Sequence, residues 1–168
     1  MAGPAPHPTT GWHGIDRAAF GLVYGAITVL SLLMAMGDHP EAPYETAAIL
    51  FGSVLAVTLA KAFAELLAHA LDTGERLTRG AWRAAWRHSA PTLAVANLPT
   101  LLFVAAGLGW LRVEAAGGLA QGVCVLVLML VGARVGWVID RRPLPAIGGA
   151  FFAGGIGAAL ALMKFVIH

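Results

Sequence analysis

Residues 58–72, TLAKAFAELLAHALD, place Thr58, Lys61, Glu65, His69 and Asp72 at spacings of 3, 4, 4 and 3. On a helix these five share one face, while most of the intervening residues are apolar. The types present are an ammonium, two carboxylates and an imidazole. Lys61 and Glu65, four apart, can pair; Glu65 and His69, also four apart, can share a proton or a divalent metal ion. A charge near the membrane centre costs about 2.5–3.5 kcal/mol on insertion scales, so such residues normally pair, face a bundle interior and mark a pathway. Glu65 is the leading candidate, because a carboxylate snorkels poorly and carries either protons or cations. The competing, purely structural reading has Lys61 snorkelling, Glu65 neutralising it or Arg134, and His69 resting among headgroups.

Other polar residues are expected at similar depth. Asn97 stands just before Pro99, Arg134 lies toward one end of the fourth apolar run with Asp140 at its edge, and Asp16 and Arg17 open the first. Together they predict an inner-leaflet polar layer drawn from four helices. Glu65 would hold the ion or proton, Lys61, His69 and Arg134 would be its charge partners, Asn97 would shape the site, and Asp72 would lie at its rim. A weaker set is Met34, Met36 and His39, whose sulfur and imidazole donors suit soft metals such as Cu(I); methionine is equally ordinary packing material.

The elements that carry these residues follow from composition. The 168-residue chain is 58% hydrophobic and 12% charged, with mean hydropathy +0.76. Soluble domains carry about 25% charged residues. Five apolar runs, about 17–37, 45–70, 91–111, 117–139 and 144–166, approach or exceed the ~20 residues that span a bilayer. In lipid they must be helices, because the backbone has to satisfy its own hydrogen bonds. The fold class expected is therefore an all-α membrane protein of five transmembrane helices, one domain over 15–168, with a flexible Pro/Gly/Thr-rich tail over 1–14. Arginine crowds the 71–90 and 140–143 connections, whereas 38–45 is acidic. Basic loops favour the cytoplasm, which predicts the N-terminus inside and the C-terminus outside. The nine arginines among eleven basic residues, with abundant Ala and Gly, suggest a bacterial source and hence the bacterial inner membrane.

Between the second and third spans, GERLTRGAWRAAWRHS sets Arg79, Arg83 and Arg87 four apart beside Trp82 and Trp86, with Arg76 just upstream. This predicts a short amphipathic helix over about 74–89, lying on the inner face and anchored to anionic lipid. Gly21 and Gly25 form a GxxxG on the first helix. Glycines crowd the fifth, making it the candidate for the tightest internal contact or for a homodimer seam. Cys124 is a lone packing residue. No GxSxG, HExxH or phosphate-cradling GxxxxGK[ST] motif is present, so no enzyme chemistry is argued. A net charge of +2 gives no basis for nucleic-acid binding.

The layout of five helices, N-terminus inside, with the largest cytoplasmic segment between the second and third, resembles the vacuolar iron transporter family. Glu65, the acidic pair Asp72 and Glu75, and the first-helix methionines echo that family's chemistry. The resemblance implies a dimer that exchanges divalent metal for protons. This chain departs from the family in its first helix, which has FGLVYGAITVL where the family has a buried acid in a DG motif. Its 71–90 segment is also short and arginine-rich rather than long and glutamate-rich. The YGAITVL stretch is similar to one in small actinobacterial integral membrane proteins, a likeness that implies no function. The leading expectation is movement of protons or divalent metal through the polar layer. The alternative is a non-catalytic accessory or scaffold subunit using the Trp/Arg segment and the fifth helix.

Overall fold

The computed structural model describes residues 12–36, 42–74 and 78–167. Five helices account for nearly all of them: α1 (Trp12–Ala35), α2 (Pro43–Thr73), α3 (Arg79–Gly107), α4 (Val113–Asp140) and α5 (Pro143–Ile167). Each is long and apolar enough to cross a membrane. α1 starts at Trp12, inside the segment read as a tail; residues 1–11 lie outside the described residues.

Local chemistry fixes where the helices stop. Pro43 opens α2, where its missing N–H costs nothing. Gly74, at φ 67°, closes α2 in the left-handed region and donates its N–H to the Ala70 carbonyl. The Thr78 hydroxyl accepts from the Ala81 N–H at 3.1 Å and so caps α3. Arg141, at φ 50°, caps α4 through its N–H on the Trp137 carbonyl, and Pro143 opens α5.

The Trp/Arg segment differs from its expectation. No separate interfacial helix stands before the third span; α3 runs unbroken from Arg79 to Gly107, with Pro91 and Pro99 inside it. Packing explains this. Ala85, with Ala81 and Trp86, forms a small apolar cluster with Ala62 and Leu66 of α2. That contact holds the first turns of α3 in line with the rest, at the loss of the hydrogen bond that residue 91 would have donated to the Arg87 carbonyl. At the opposite end of this antiparallel hairpin the Tyr44 ring lies on Gly107, where a Cβ would stand 2.6 Å from it.

α1, α3 and α4 form a central triangle; α2 packs mainly on α3 and α5 mainly on α4. The core is Val29 and Leu30 of α1, Leu50 and Val54 of α2, Ala96 and Phe103 of α3, and Ala120, Cys124 and Leu128 of α4. Glycine sets the closest approaches. Gly21 and Gly25 rest on Pro91 and Thr92; a Cβ on Gly25 would stand 2.5 Å from the Thr92 carbonyl oxygen. Gly132 of α4 and Gly149 of α5 face each other so closely that a Cβ on either would run into the other's carbonyl oxygen, and Gly136 backs onto the Pro145 carbonyl. Only 11% of the apolar window of α5 is buried, and Phe151 and Phe152 are 70% and 74% exposed. Lipid is the solvent that covers such a surface without aggregation.

These contacts discriminate among the α5 glycines. Gly148 and Gly155 have open space where a Cβ would go. Gly149→Ala is expected to lower stability by about 1–3 kcal/mol, the range for overpacking. Gly148→Ala and Gly155→Ala should be neutral or slightly stabilising. Thermal unfolding in detergent or nanodiscs checks the order.

Candidate functional site

A salt bridge links Lys61 and Glu65, with Nζ 3.9 Å from Oε1 and the two side chains 15% and 35% exposed. This exceeds the ~2.7–2.9 Å of a charge-assisted hydrogen bond, so the ammonium neutralises Glu65 without bonding to it. The same Nζ lies 4.5 Å from the centroid of the Phe20 ring on α1, within reach of the ring's negative face. Phe20 in turn stacks on Tyr24, centroids 6.1 Å apart and planes 18° apart. Lys61 thus contacts α1 through the Phe20 ring while pairing with a carboxylate of its own helix.

Glu65 also faces α3. A cleft of about 190 Å³ opens between the two helices, lined by Glu65, Leu66 and His69 of α2 and by Ala81, Ala84, Ala85 and His88 of α3. Alanines on α3 make room, while one carboxylate and two imidazoles supply all its ionisable groups. The positions follow from helical period: 65, 66 and 69 occupy one face of α2, and 81, 84, 85 and 88 one face of α3. Glu65 lies 22 residues beyond Pro43 (65 minus 43), about 33 Å along α2 at 1.5 Å per residue. A hydrocarbon core is ~30 Å thick. The stretch of α2 from Pro43 to Glu65 is thus about as long as a hydrocarbon core is thick.

The expected residues are only partly gathered. Glu65 and His69 share the cleft, and Lys61 touches Glu65 from the α1 side. Thr58 is fully buried and donates to the Val54 carbonyl at 2.7 Å. Asp72 and Asn97 are exposed on the outside of the bundle. Arg134 is half-buried, on the α4 face that also carries Ala116, Ala120 and Val131. α2 and α4 share no substantial interface, because α1 and α3 stand between them. Among the described residues, the α2 stripe and Arg134 therefore stand apart; the side chains of Asp16 and Arg17 lie outside the described residues. Asp140 lies at the last turn of α4.

Met34 and Met36 are half-buried, and Met36 packs against the main core. His39 and Arg76 lie outside the described residues. Among the described residues, no three His, Cys, Asp or Glu side chains are placed to hold one metal ion. Arg79, Arg83 and Arg87 are exposed on the side of α3 turned away from the cleft. Trp82 is 39% exposed, and Trp86 is half-buried against the α2–α3 cluster.

Two members of the site went unpredicted. His88 lies within the Trp/Arg segment, and its seat opposite His69 depends on the α2–α3 register; folding the sequence as a hairpin about 74–78 would have found it. Phe20 looked like any apolar residue of α1. Comparison with models of known protein families, with characterised proteins and with solved structures finds no match to this chain.

The Lys61–Glu65 contact is too long and too exposed to hold the fold. Lys61→Met and Glu65→Gln are each expected to change stability by less than about 1 kcal/mol, as for surface ion pairs. Thermal unfolding of both variants checks this; a loss of several kcal/mol would make the pair structural.

Proposed function

We propose that this multi-pass membrane protein moves protons, or cations that exchange with them, through the α2–α3 cleft, with Glu65 as the binding carboxylate. The observation that carries this reading is the convergence of Glu65, His69 and His88 on one cleft at one end of the hairpin. A carboxylate and two imidazoles can pass a proton among themselves, and an imidazole changes charge near physiological pH. Among the described residues no three such donors are placed to hold one metal ion, so the group suits a proton better than a tightly held divalent ion. A divalent cation that keeps most of its water is the remaining variant of this reading, and the layout resembling the vacuolar iron transporters favours it. On the same reading the arginine end of the bundle faces the cytoplasm of a bacterial inner membrane.

A second reading rests on a different face. Arg79, Arg83 and Arg87 project away from the cleft, beside Trp82. This suits anchoring to anionic headgroups by an accessory or scaffold subunit, with the outward glycines Gly148 and Gly155 of α5 free to meet a second copy.

Ion flux in proteoliposomes separates the two. Wild type should take up protons under an imposed gradient. Glu65→Gln should fall to the level of protein-free vesicles, and His88→Ala should slow uptake. The double variant Arg79→Gln, Arg83→Gln should retain flux while losing affinity for anionic vesicles. No flux in wild type for protons or several divalent metals, with binding to anionic vesicles intact, would favour the accessory reading.

A further inference from the structure

Lys61 is held by two partners of different chemistry. Glu65 offers a negative charge that is also the proposed proton or cation site. Phe20 offers a ring face that binds a cation but no proton. At 3.9 Å from Glu65 and 4.5 Å from the Phe20 centroid, the ammonium lies close enough to neutralise the carboxylate and too far to occupy its oxygens. Glu65 meanwhile faces the cleft on its other side. Tyr24 stacks behind Phe20 and steadies the ring's orientation. The ring is 67% exposed, so core packing does not account for its position.

We propose that Phe20 is a positioning residue: its ring seats the Lys61 ammonium beside Glu65, keeping the carboxylate vacant for a cation or proton arriving through the cleft. This rests on the transport reading above and deepens it. Lys61 acts as a tethered competitor for the Glu65 site. When a proton or cation arrives, Lys61 remains on the ring; when it departs, Lys61 screens the exposed negative charge. Without the ring, Glu65 is the one partner left to the ammonium among the described residues, and the ammonium closes onto it. The described titratable side chains around Glu65 are Lys61 and His69 on α2 and His88 on α3, with Tyr24 on α1 behind the ring.

The test uses a hydrophobic carbodiimide, which reacts with protonated carboxyl groups within membranes. The full-length protein in vesicles is labelled over a range of pH, and modification at Glu65 is read by mass spectrometry, with Glu65→Gln as the blank. Phe20→Leu should slow labelling by roughly two- to fivefold, the ratio that a cation–ring contact at a partly exposed site carries. It should also move half-maximal proton flux to lower pH, because Lys61 then competes more strongly. Phe20→Trp, which keeps a ring face, should restore both. Lys61→Met should speed labelling, and adding Phe20→Leu to it should change nothing further.

Labelling of Phe20→Leu equal to wild type would overturn the proposal. So would an effect of Phe20→Leu that persists in the Lys61→Met background, since the ring would then act by another route. Labelling is read without flux. A wild type with no flux but ring-dependent labelling therefore sinks the transport reading and leaves the seating of Lys61 standing.

Discussion

In lipid, apolar side chains gain little from leaving one helix for another, so helix association depends on how closely backbones approach. In this bundle glycine controls that approach. Gly21 and Gly25 bring α1 onto α3 at Pro91 and Thr92, and the facing pair Gly132 and Gly149 brings α5 onto α4. Once these seams are set, α1, α3 and α4 occupy the centre and α2 is left on the flank of α3. The polar stripe of α2 therefore sits at a side of the bundle and not in its middle. Every property of the candidate site, including its exposure and its distance from Arg134, descends from that placement.

Much of this was legible in the residues. Five apolar runs gave five helices, and the 3-4-4-3 spacing put Lys61, Glu65 and His69 on one face. The Gly21–Gly25 pair marked a real seam. What failed to show was whatever depends on register between helices. The GxxxG formed by Gly132 and Gly136 is as plain in sequence as the first one, yet it gains meaning only with Gly149 and Pro145 opposite. His88 hid among charged neighbours because the segment read as a surface helix. Arginine and tryptophan do prefer the headgroup region, but the Ala81–Ala85 face also found Leu66, and that contact keeps the segment in line with the span. Asn97 illustrates the opposite error. A polar residue two positions before a proline looks like a cavity liner, but the nearby Pro99 and Ala96 are the buried positions and Asn97 falls on the outer side.

The two faces of the first turns of α3 serve different media. Residues 81, 84, 85 and 88 turn toward α2 and are small or titratable; residues 79, 83 and 87 turn outward and are all arginine. A cation stripe directly over the cleft would repel an incoming cation and compete for Glu65. Placed on the opposite face, the same arginines leave the cleft, among the described residues, with one carboxylate and two imidazoles as its ionisable groups. One short stretch of helix thus carries two chemically distinct faces, one small and titratable, the other cationic.

The partial exposure of Glu65 sets what its partner must do. Glu65 lies about 33 Å along α2 from Pro43, a stretch comparable with the ~30 Å thickness of a hydrocarbon layer. Its side chain is 35% exposed, so the carboxylate needs neutralising but not full desolvation, and one partner at 3.9 Å is enough. Lys61 can meet the need because its ammonium also lies 4.5 Å from the centroid of the Phe20 ring. A fully buried pair would have to close to hydrogen-bond distance to offset desolvation, and would then exclude any other cation. For a partly exposed pair the looser contact suffices, so Glu65 stays neutralised by Lys61 and still open to the cleft.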